Sequence, residues 1–237
     1  MRVLLIIPAY NEAENIEDTI NQVTSFADGL DYNLDYLIIN DGSSDSTLEV
    51  CRRNNFHVAS HACNMGIGGA VQTGYKYALS KDYDIAVQFD GDGQHDIRSL
   101  MDILKAMENA DFVIGSRYVS DMDNFKSTAM RRTGIKILSF LIYLTTGRRI
   151  ADCTSGYRAS NRAVIELFAN DYPQDYPEPE SIVQLAKKGY RIAEVPAKMK
   201  ERKCGQSSIR SWKSVMYMIK VSLAILLAGM GRNEGCK

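Results

Sequence analysis

Short apolar runs that end in polar turns recur along the first half of the chain. Residues 3–7 (Val-Leu-Leu-Ile-Ile) are apolar without a break, stop at Pro8, and lead into Ala9-Tyr10-Asn11-Glu12. A run of this kind reads as a strand covered on both faces of a parallel sheet. Ile16, Ile20 and Val23 then recur at helical spacing. Asn11 is the expected N-cap, Glu14 three residues on makes a capping box, and Gly29 is the expected stop. Residues 36–39 predict a second strand that breaks into Asn40-Asp-Gly-Ser-Ser-Asp-Ser-Thr47 before a helix over 48–54. After a short strand near Val58, Asn64-Met-Gly-Ile-Gly-Gly-Ala70 opens a helix that carries Val71, Tyr75, Ala78 and Leu79. Glycines there fit either close backbone approach to an anion or close helix packing. The spacing is not that of a P-loop or a dinucleotide fingerprint.

The fourth run, Ile85-Ala-Val-Gln-Phe89, stops at the stretch on which the others converge: Asp90-Gly-Asp92-Gly-Gln94-His95. Carboxylates just past a buried strand lie where open α/β sheets bind ligands. Asp92 and Gln94 offer hard oxygen donors suited to Mg²⁺ or Mn²⁺. A helix (Leu100, Ile103, Leu104, Met107) and a strand over 111–115 follow, delivering Ser116-Arg117-Tyr118. Strand, turn and helix thus alternate, which predicts a doubly wound α/β sheet with a nucleotide-type crevice. Asp41, Asp90 and Asp92 at one edge repel one another unless a cation or ligand offsets them.

Composition changes this picture little. The 237 residues are 45% hydrophobic and 24% charged with net charge −1, so nothing global points to nucleic acid. Five scattered cysteines without a C-x-x-C pair and only three histidines argue for free thiols and against a zinc site. The opening apolar run is too short for a signal peptide, so the expectation is a cytosolic body.

Five ordered segments carry a family resemblance: Ile7-Pro-Ala-Tyr-Asn-Glu12, Asn40 to Thr47, Asn64 to Ala70, Asp90 to His95, and Gly115-Ser-Arg-Tyr118. Together they resemble the family 2 glycosyltransferases of the GT-A fold, most closely the branch with dolichyl-phosphate mannose synthase and bacterial polyprenyl-phosphate sugar transferases. Downstream, Asp152-Cys-Thr-Ser-Gly-Tyr-Arg158, Glu194-Val-Pro196, Arg202 and Gly205-Gln-Ser207 look like further segments of that branch. Ile67 stands where many relatives have lysine, and many relatives continue into transmembrane helices beyond the point where this chain ends. The resemblance implies a mostly parallel, Rossmann-like sheet with helices on both faces. It assigns residues 1–209 to the catalytic domain and 210–237 to a helix that associates with membrane or docks on a partner.

It also implies roles. Pro8, Tyr10, Glu12 and Asp41 would hold the nucleotide's base and ribose. Asp90, Gly91, Asp92 and Gln94 would hold diphosphate and metal, with Asp92 and Gln94 the direct ligands and His95 a donor behind them. Arg117, Arg131 or Arg132, and Arg202 would handle phosphate charge. The implied reaction is inverting, metal-dependent transfer from a nucleotide-diphosphate sugar to polyprenyl phosphate at the cytoplasmic membrane face, in cell-surface glycan assembly. The alternative is a glycan hydroxyl acceptor, with Asp152 as base. A haloacid-dehalogenase-type phosphatase fits less well, since its Asp-x-Asp lies on the first strand, and a non-catalytic scaffold has no use for the intact acidic set.

Two later stretches bear on location. Residues 128–146 read as a basic-then-apolar helix (Arg131, Arg132, Lys136, then Ile137 to Leu144) whose apolar surface exceeds one core-facing stripe. Six basic residues between Lys198 and Lys213 precede a largely apolar run over 215–230, interrupted by Lys220. That pattern fits an anionic membrane surface, a small membrane protein or a second copy of the chain as partner. Residues 171–180 (DYPQDYPEPE) read as a Pro-rich acidic surface loop, followed by a short helix over 181–187.

Overall fold

A computed structural model describes residues 1–27, 29–30, 32–119, 129–199 and 211–230. Strand β1 (Arg2–Ala9) lies inside a seven-stranded sheet and determines the rest. Val3, Leu4, Leu5, Ile6 and Ile7 are all 0% exposed. Leu4 and Ile6 enter one hydrophobic core and Val3, Leu5 and Ile7 the other, as the two-residue period of a strand requires. Helix α1 (Ile16–Ala27) leads to β2 (Asn33–Asn40), then α2 (Thr47–Arg53), β3 (Val58–Ser60), α3 (Gly66–Ser80) and β4 (Ile85–Gln88). Beyond a 3-10 turn come α4 (Leu100–Ala106), β5 (Phe112–Ser116) and α5 (Ala129–Thr146). The chain then forms β6 (Arg158–Asn161), α6 (Arg162–Asn170), α7 (Pro177–Lys187), β7 (Ile192–Pro196) and α8 (Ser211–Met230).

The sheet order is β3-β2-β1-β4-β6-β5-β7, with every neighbour pair parallel except those of β6. Because β1 pairs with β2 on one side and β4 on the other, the winding direction reverses at β1. That places a crevice at the carboxyl ends of β1, β2 and β4.

Two expectations are corrected, and one strand is added. Asn11 does not cap α1. It takes a positive φ of 57°, and its Oδ1 accepts from the N–H groups of Ser44 and Asp45. The helix starts later, with the Glu12 carbonyl accepting from Asn15 and Ile16. Residues 171–180 are only partly a loop. Pro177 opens α7, where its missing N–H costs nothing, and Tyr172, Pro177 and Pro179 are buried. Strand β6 was not expected, since Arg158-Ala-Ser-Asn161 has no apolar run. It is held by its antiparallel partners on both sides rather than by its own pattern.

Helix α8 packs beside α5 and α7, with Val221 and Ile225 fully buried in the same core as Leu4 and Ile6. Among the described residues no helix is long and apolar enough to cross a membrane.

Candidate active site

The turns after β1 and β2 are laced together by donors and acceptors from both. Asp41 N–H donates to the Ala9 carbonyl (2.9 Å), Asn11 N–H to Ser43 Oγ (3.0 Å), and Glu12 N–H to Thr47 Oγ1 (2.9 Å). Tyr10, 48% exposed, therefore stands at a fixed place above the crevice. Glu12 is turned inward, its Oε2 accepting from Asn15 Nδ2. Pro8 borders the third turn: a Cβ at Gly91 would lie 3.1 Å from the Pro8 carbonyl oxygen, so only a residue without one fits comfortably there.

Asp41 is buried and already bound. Its Oδ1 meets His61 Nδ1 at 2.7 Å and accepts from Met65 N–H at 2.8 Å, while Oδ2 accepts from Gly66 N–H at 2.9 Å. These amides are among the unpaired donors at the start of α3, so Asp41 occupies a place that an anion would otherwise take. The glycines of α3 serve packing. A Cβ on Gly68 would come within 2.4 Å of the Gln174 backbone, and one on Gly74 within 2.2 Å of Ile6.

The acidic turn after β4 is more open. Asp90 keeps 35% of its side chain exposed, and Asp92 and Gln94 are partly buried. Gly93 at φ 72° lets the chain fold back, so that Gln94 N–H donates to Asp92 Oδ1 (3.0 Å). His95 is buried behind them. Asp90 N–H donates to its Nδ1 (3.2 Å), which leaves the ring proton on Nε2, 3.4 Å from Asp90 Oδ2. The ring stacks on Tyr157 at 4.8 Å and meets Phe89 edge-on at 5.3 Å. Burial keeps the imidazole neutral, with its pKa pushed down to about 4. Among the described residues no three His, Cys, Asp or Glu side chains converge on one point.

Arg117 and Asp152 meet each other. Asp152 is 0% exposed; its Oδ2 accepts from Arg117 Nε (2.6 Å) and Oδ1 from Nη2 (2.7 Å), a two-pronged pair. Burial alone would raise the Asp152 carboxyl, but the hydrogen bonds and charge of Arg117 outweigh it and hold it below the usual carboxylate range. Glu194 Oε1 accepts from Asp152 N–H (2.9 Å) and anchors the segment. Arg132 lies exposed on α5, whereas the Arg131 side chain and all of Arg202 lie outside the described residues.

Sequence reasoning gave no role to the residues that tie this wall together. Arg158 is 1% exposed, and among the described residues its guanidinium donates to neutral oxygens: the Ser155, Cys153 and Glu178 carbonyls and Ser181 Oγ.

A second surface lies on α5 and α8. The two helices run side by side in the same direction. A Cβ on Gly134 would touch Met218 at 3.2 Å, and one on Gly229 would touch Thr145 at 2.5 Å. Their outward faces are apolar: Ile137, Phe140 and Leu144 on α5 are 49%, 59% and 60% exposed, and Ile219, Leu223 and Leu227 on α8 are 56%, 56% and 59% exposed. Arg132, Lys136, Arg148, Arg149 and Lys220 are exposed on or beside these helices.

The chain is similar to curated relatives over most of its length. It is 31% identical to an undecaprenyl-phosphate mannosyltransferase of Micrococcus luteus over 88% of this chain and 88% of that protein. It is 30% identical to a UDP-N-acetylglucosamine–dolichyl-phosphate N-acetylglucosaminyltransferase of Methanococcus voltae over 97% of each. Its fold resembles glucosyl-3-phosphoglycerate synthase from Mycobacterium tuberculosis, solved with Mn²⁺, UDP and phosphoglyceric acid, with a TM-score of 0.68 at 16% identity, covering 100% of this chain and 80% of that one. Residues 4–168 match the model of glycosyl transferase family 2, and the chain belongs to that family and is a glycosyltransferase.

Proposed function

We propose that the protein transfers a sugar from a nucleoside-diphosphate sugar to a polyprenyl phosphate at the cytoplasmic membrane face, with inversion at the anomeric carbon. The donor end of this reading rests on the acidic turn after β4. Asp92 and Gln94 present a carboxylate and an amide oxygen, a hard donor pair that fits Mg²⁺ or Mn²⁺ while leaving places for phosphate oxygens and water. When bound there, such an ion would offset the charge of the leaving diphosphate. Asp90, aimed by the His95 Nε2–H, and the Gly91 backbone would border the diphosphate. Pro8, Tyr10, Glu12 and the Asp41 turn would border ribose and base.

The observation that carries the choice of acceptor is the Asp152–Arg117 pair. A sugar hydroxyl needs a positioned base to take its proton. Asp152, the base expected for that chemistry, is fully buried and held by both prongs of Arg117. A phosphate monoester, with a second pKa near ~6, is already largely dianionic at neutral pH and needs no base. Its oxygen attacks the anomeric carbon opposite the departing nucleoside diphosphate, forming a glycosyl phosphate ester. The apolar outer faces of α5 and α8, flanked by basic residues, would rest on an anionic leaflet and bring the lipid acceptor to the crevice. Arg131 and Arg202 remain proposed partners of the acceptor phosphate.

The direct test is a product assay with undecaprenyl phosphate, Mn²⁺ or Mg²⁺, and UDP- and GDP-sugars. Formation of a glycosyl phosphate lipid from one donor is the expected result. Transfer only to glycan hydroxyls would overturn the acceptor assignment.

A further inference from the structure

Asp41 is the carboxylate that the proposed reaction sets against ribose or base, and its partners decide which oxygen stays open. An ionised carboxylate offers about four acceptor sites, two on each oxygen. Met65 N–H and His61 Nδ1 take both sites on Oδ1, at 2.8 and 2.7 Å. On Oδ2 the Gly66 N–H takes one, at 2.9 Å, and among the described residues nothing takes the other. The two amides are backbone and are present whatever side chains surround them. His61 is the one side chain in the set.

The imidazole is itself held on two elements. His61 follows β3, and its N–H donates to the Asn40 carbonyl (2.9 Å), next to Asp41. A carboxylate only accepts, so Nδ1 carries a proton. The far nitrogen, Nε2, lies 2.9 Å from Thr73 Oγ1 on α3. The His61 and Asp41 side chains are 13% and 5% exposed, so the bond between them is largely sheltered from water. A Cβ on Gly42 would lie 2.6 Å from the Cys63 carbonyl carbon, so residues 61–66 close directly on the turn after β2. Without the Nδ1 donor, a buried oxygen of Asp41 is one bond short. The carboxylate, whose terminal torsion is soft, would then turn toward another donor or draw in water.

We propose that His61 is a positioning residue for nucleotide binding. Anchored to α3 through Thr73, it fills Oδ1 of Asp41 and so leaves Oδ2 to accept from a ribose hydroxyl or a base N–H. This rests on the nucleotide contact proposed above for Asp41 and deepens it.

Two amide substitutions separate the ring nitrogens. The asparagine Nδ2 falls near the place of Nδ1, so His61→Asn keeps a donor for Asp41 and loses Thr73. The glutamine Nε2 falls near the place of the far nitrogen, so His61→Gln keeps Thr73 and leaves Asp41 without its donor. Binding of UDP and GDP is measured by calorimetry on the full chain with Mn²⁺. For the nucleotide that the wild type prefers, His61→Gln is expected to weaken binding about tenfold, as loss of a hydrogen bond to a charged group predicts. His61→Asn is expected to stay within about threefold of the wild type. Equal effects of the two substitutions would overturn the proposal, because a ring needed only for packing does not distinguish its nitrogens. Asp41→Ala tests the reading underneath. If it binds nucleotide like the wild type, or if the wild type binds none, the proposed contact fails and this inference with it. If Asp41→Ala weakens binding and His61→Gln does not, this inference alone fails.

Discussion

The rim of the crevice and the outer face of α5 and α8 are opposite solutions to exposure. At the rim, polar groups that need not be exposed are tied down: Asp41 by His61 and two backbone amides, Asp152 by Arg117. Asp90 there keeps 35% of its side chain exposed, on the side where the diphosphate is proposed to lie. On the outer face the exposed groups include large apolar side chains. Phe140, Leu144, Leu223 and Leu227 each leave more than half their surface uncovered although the core beneath them is filled. Rigid polar scaffolding beside an unsatisfied apolar face is what a catalyst working between water and lipid requires. Perturbing either region should leave the other intact, which makes the comparison breakable.

The largest effect is expected at the tied-down rim. Asp152→Ala leaves the Arg117 guanidinium buried without its carboxylate, so chemical denaturation should show a loss of ~3–5 kcal/mol. The acid dependence follows from the depressed Asp152 carboxyl. Its stabilising contribution is complete above the unfolded value near 3.8 and is lost as pH falls below that toward the folded pKa. The wild type should therefore lose stability in that acid window and the variant should lose less. A variant as stable as the wild type would mean that the pair is not closed in solution.

Next is the open part of the rim. Asp92→Asn removes one hard, charged donor, and turnover is expected to fall about 100-fold or more, with sedimentation on liposomes unchanged. Full activity of this variant, or of the wild type in excess chelator, would remove the proposed metal from the reaction.

Much of the rim was legible in the sequence because each strand announced its own end. Apolar runs, the third broken only by Gln88, stop at Pro8, Asn40 and Asp90, and the carboxylates Asp41 and Asp90 lie at one sheet edge as their positions implied. What was not legible depends on contacts between distant segments. Nothing near Asp152 in sequence reveals that Arg117, 35 residues away, takes both its oxygens. Strand β6 has no hydrophobic period, and Asn11 looks like a cap because its real partners, Ser44 and Asp45, belong to another turn. The Pro-rich stretch was read as loop because prolines break helices, whereas at a first turn they begin one.

A smaller effect is expected where α3 meets the segment that precedes α7. Gly68→Ala drives a methyl to within 2.4 Å of the Gln174 backbone, which cannot move aside as a flexible side chain would. Overpacking of this kind costs ~1–3 kcal/mol, read as a lower thermal midpoint. A variant that melts like the wild type would show that α3 and residues 172–178 are less closely packed than this.

The smallest effect sharpens the outer face. Lys220 is exposed between Ile219 and Leu223, both 56% exposed, so a surface that lay on lipid would hold its ammonium near the headgroups. A basic residue beside an anionic leaflet contributes ~1 kcal/mol, so Lys220→Gln should weaken binding to phosphatidylserine-containing vesicles about fivefold. Glutamine keeps helix propensity and removes only the charge, so the melting temperature should not change. The same substitution should have no effect on neutral vesicles, where the charge has nothing to attract. Raising salt should shrink the difference, since the Debye length falls from ~10 Å at 0.1 M to ~3 Å at 1 M. Binding that ignores both vesicle charge and salt would mean the apolar face alone carries the contact. Failure of either protein to bind vesicles would reassign that face to a protein partner.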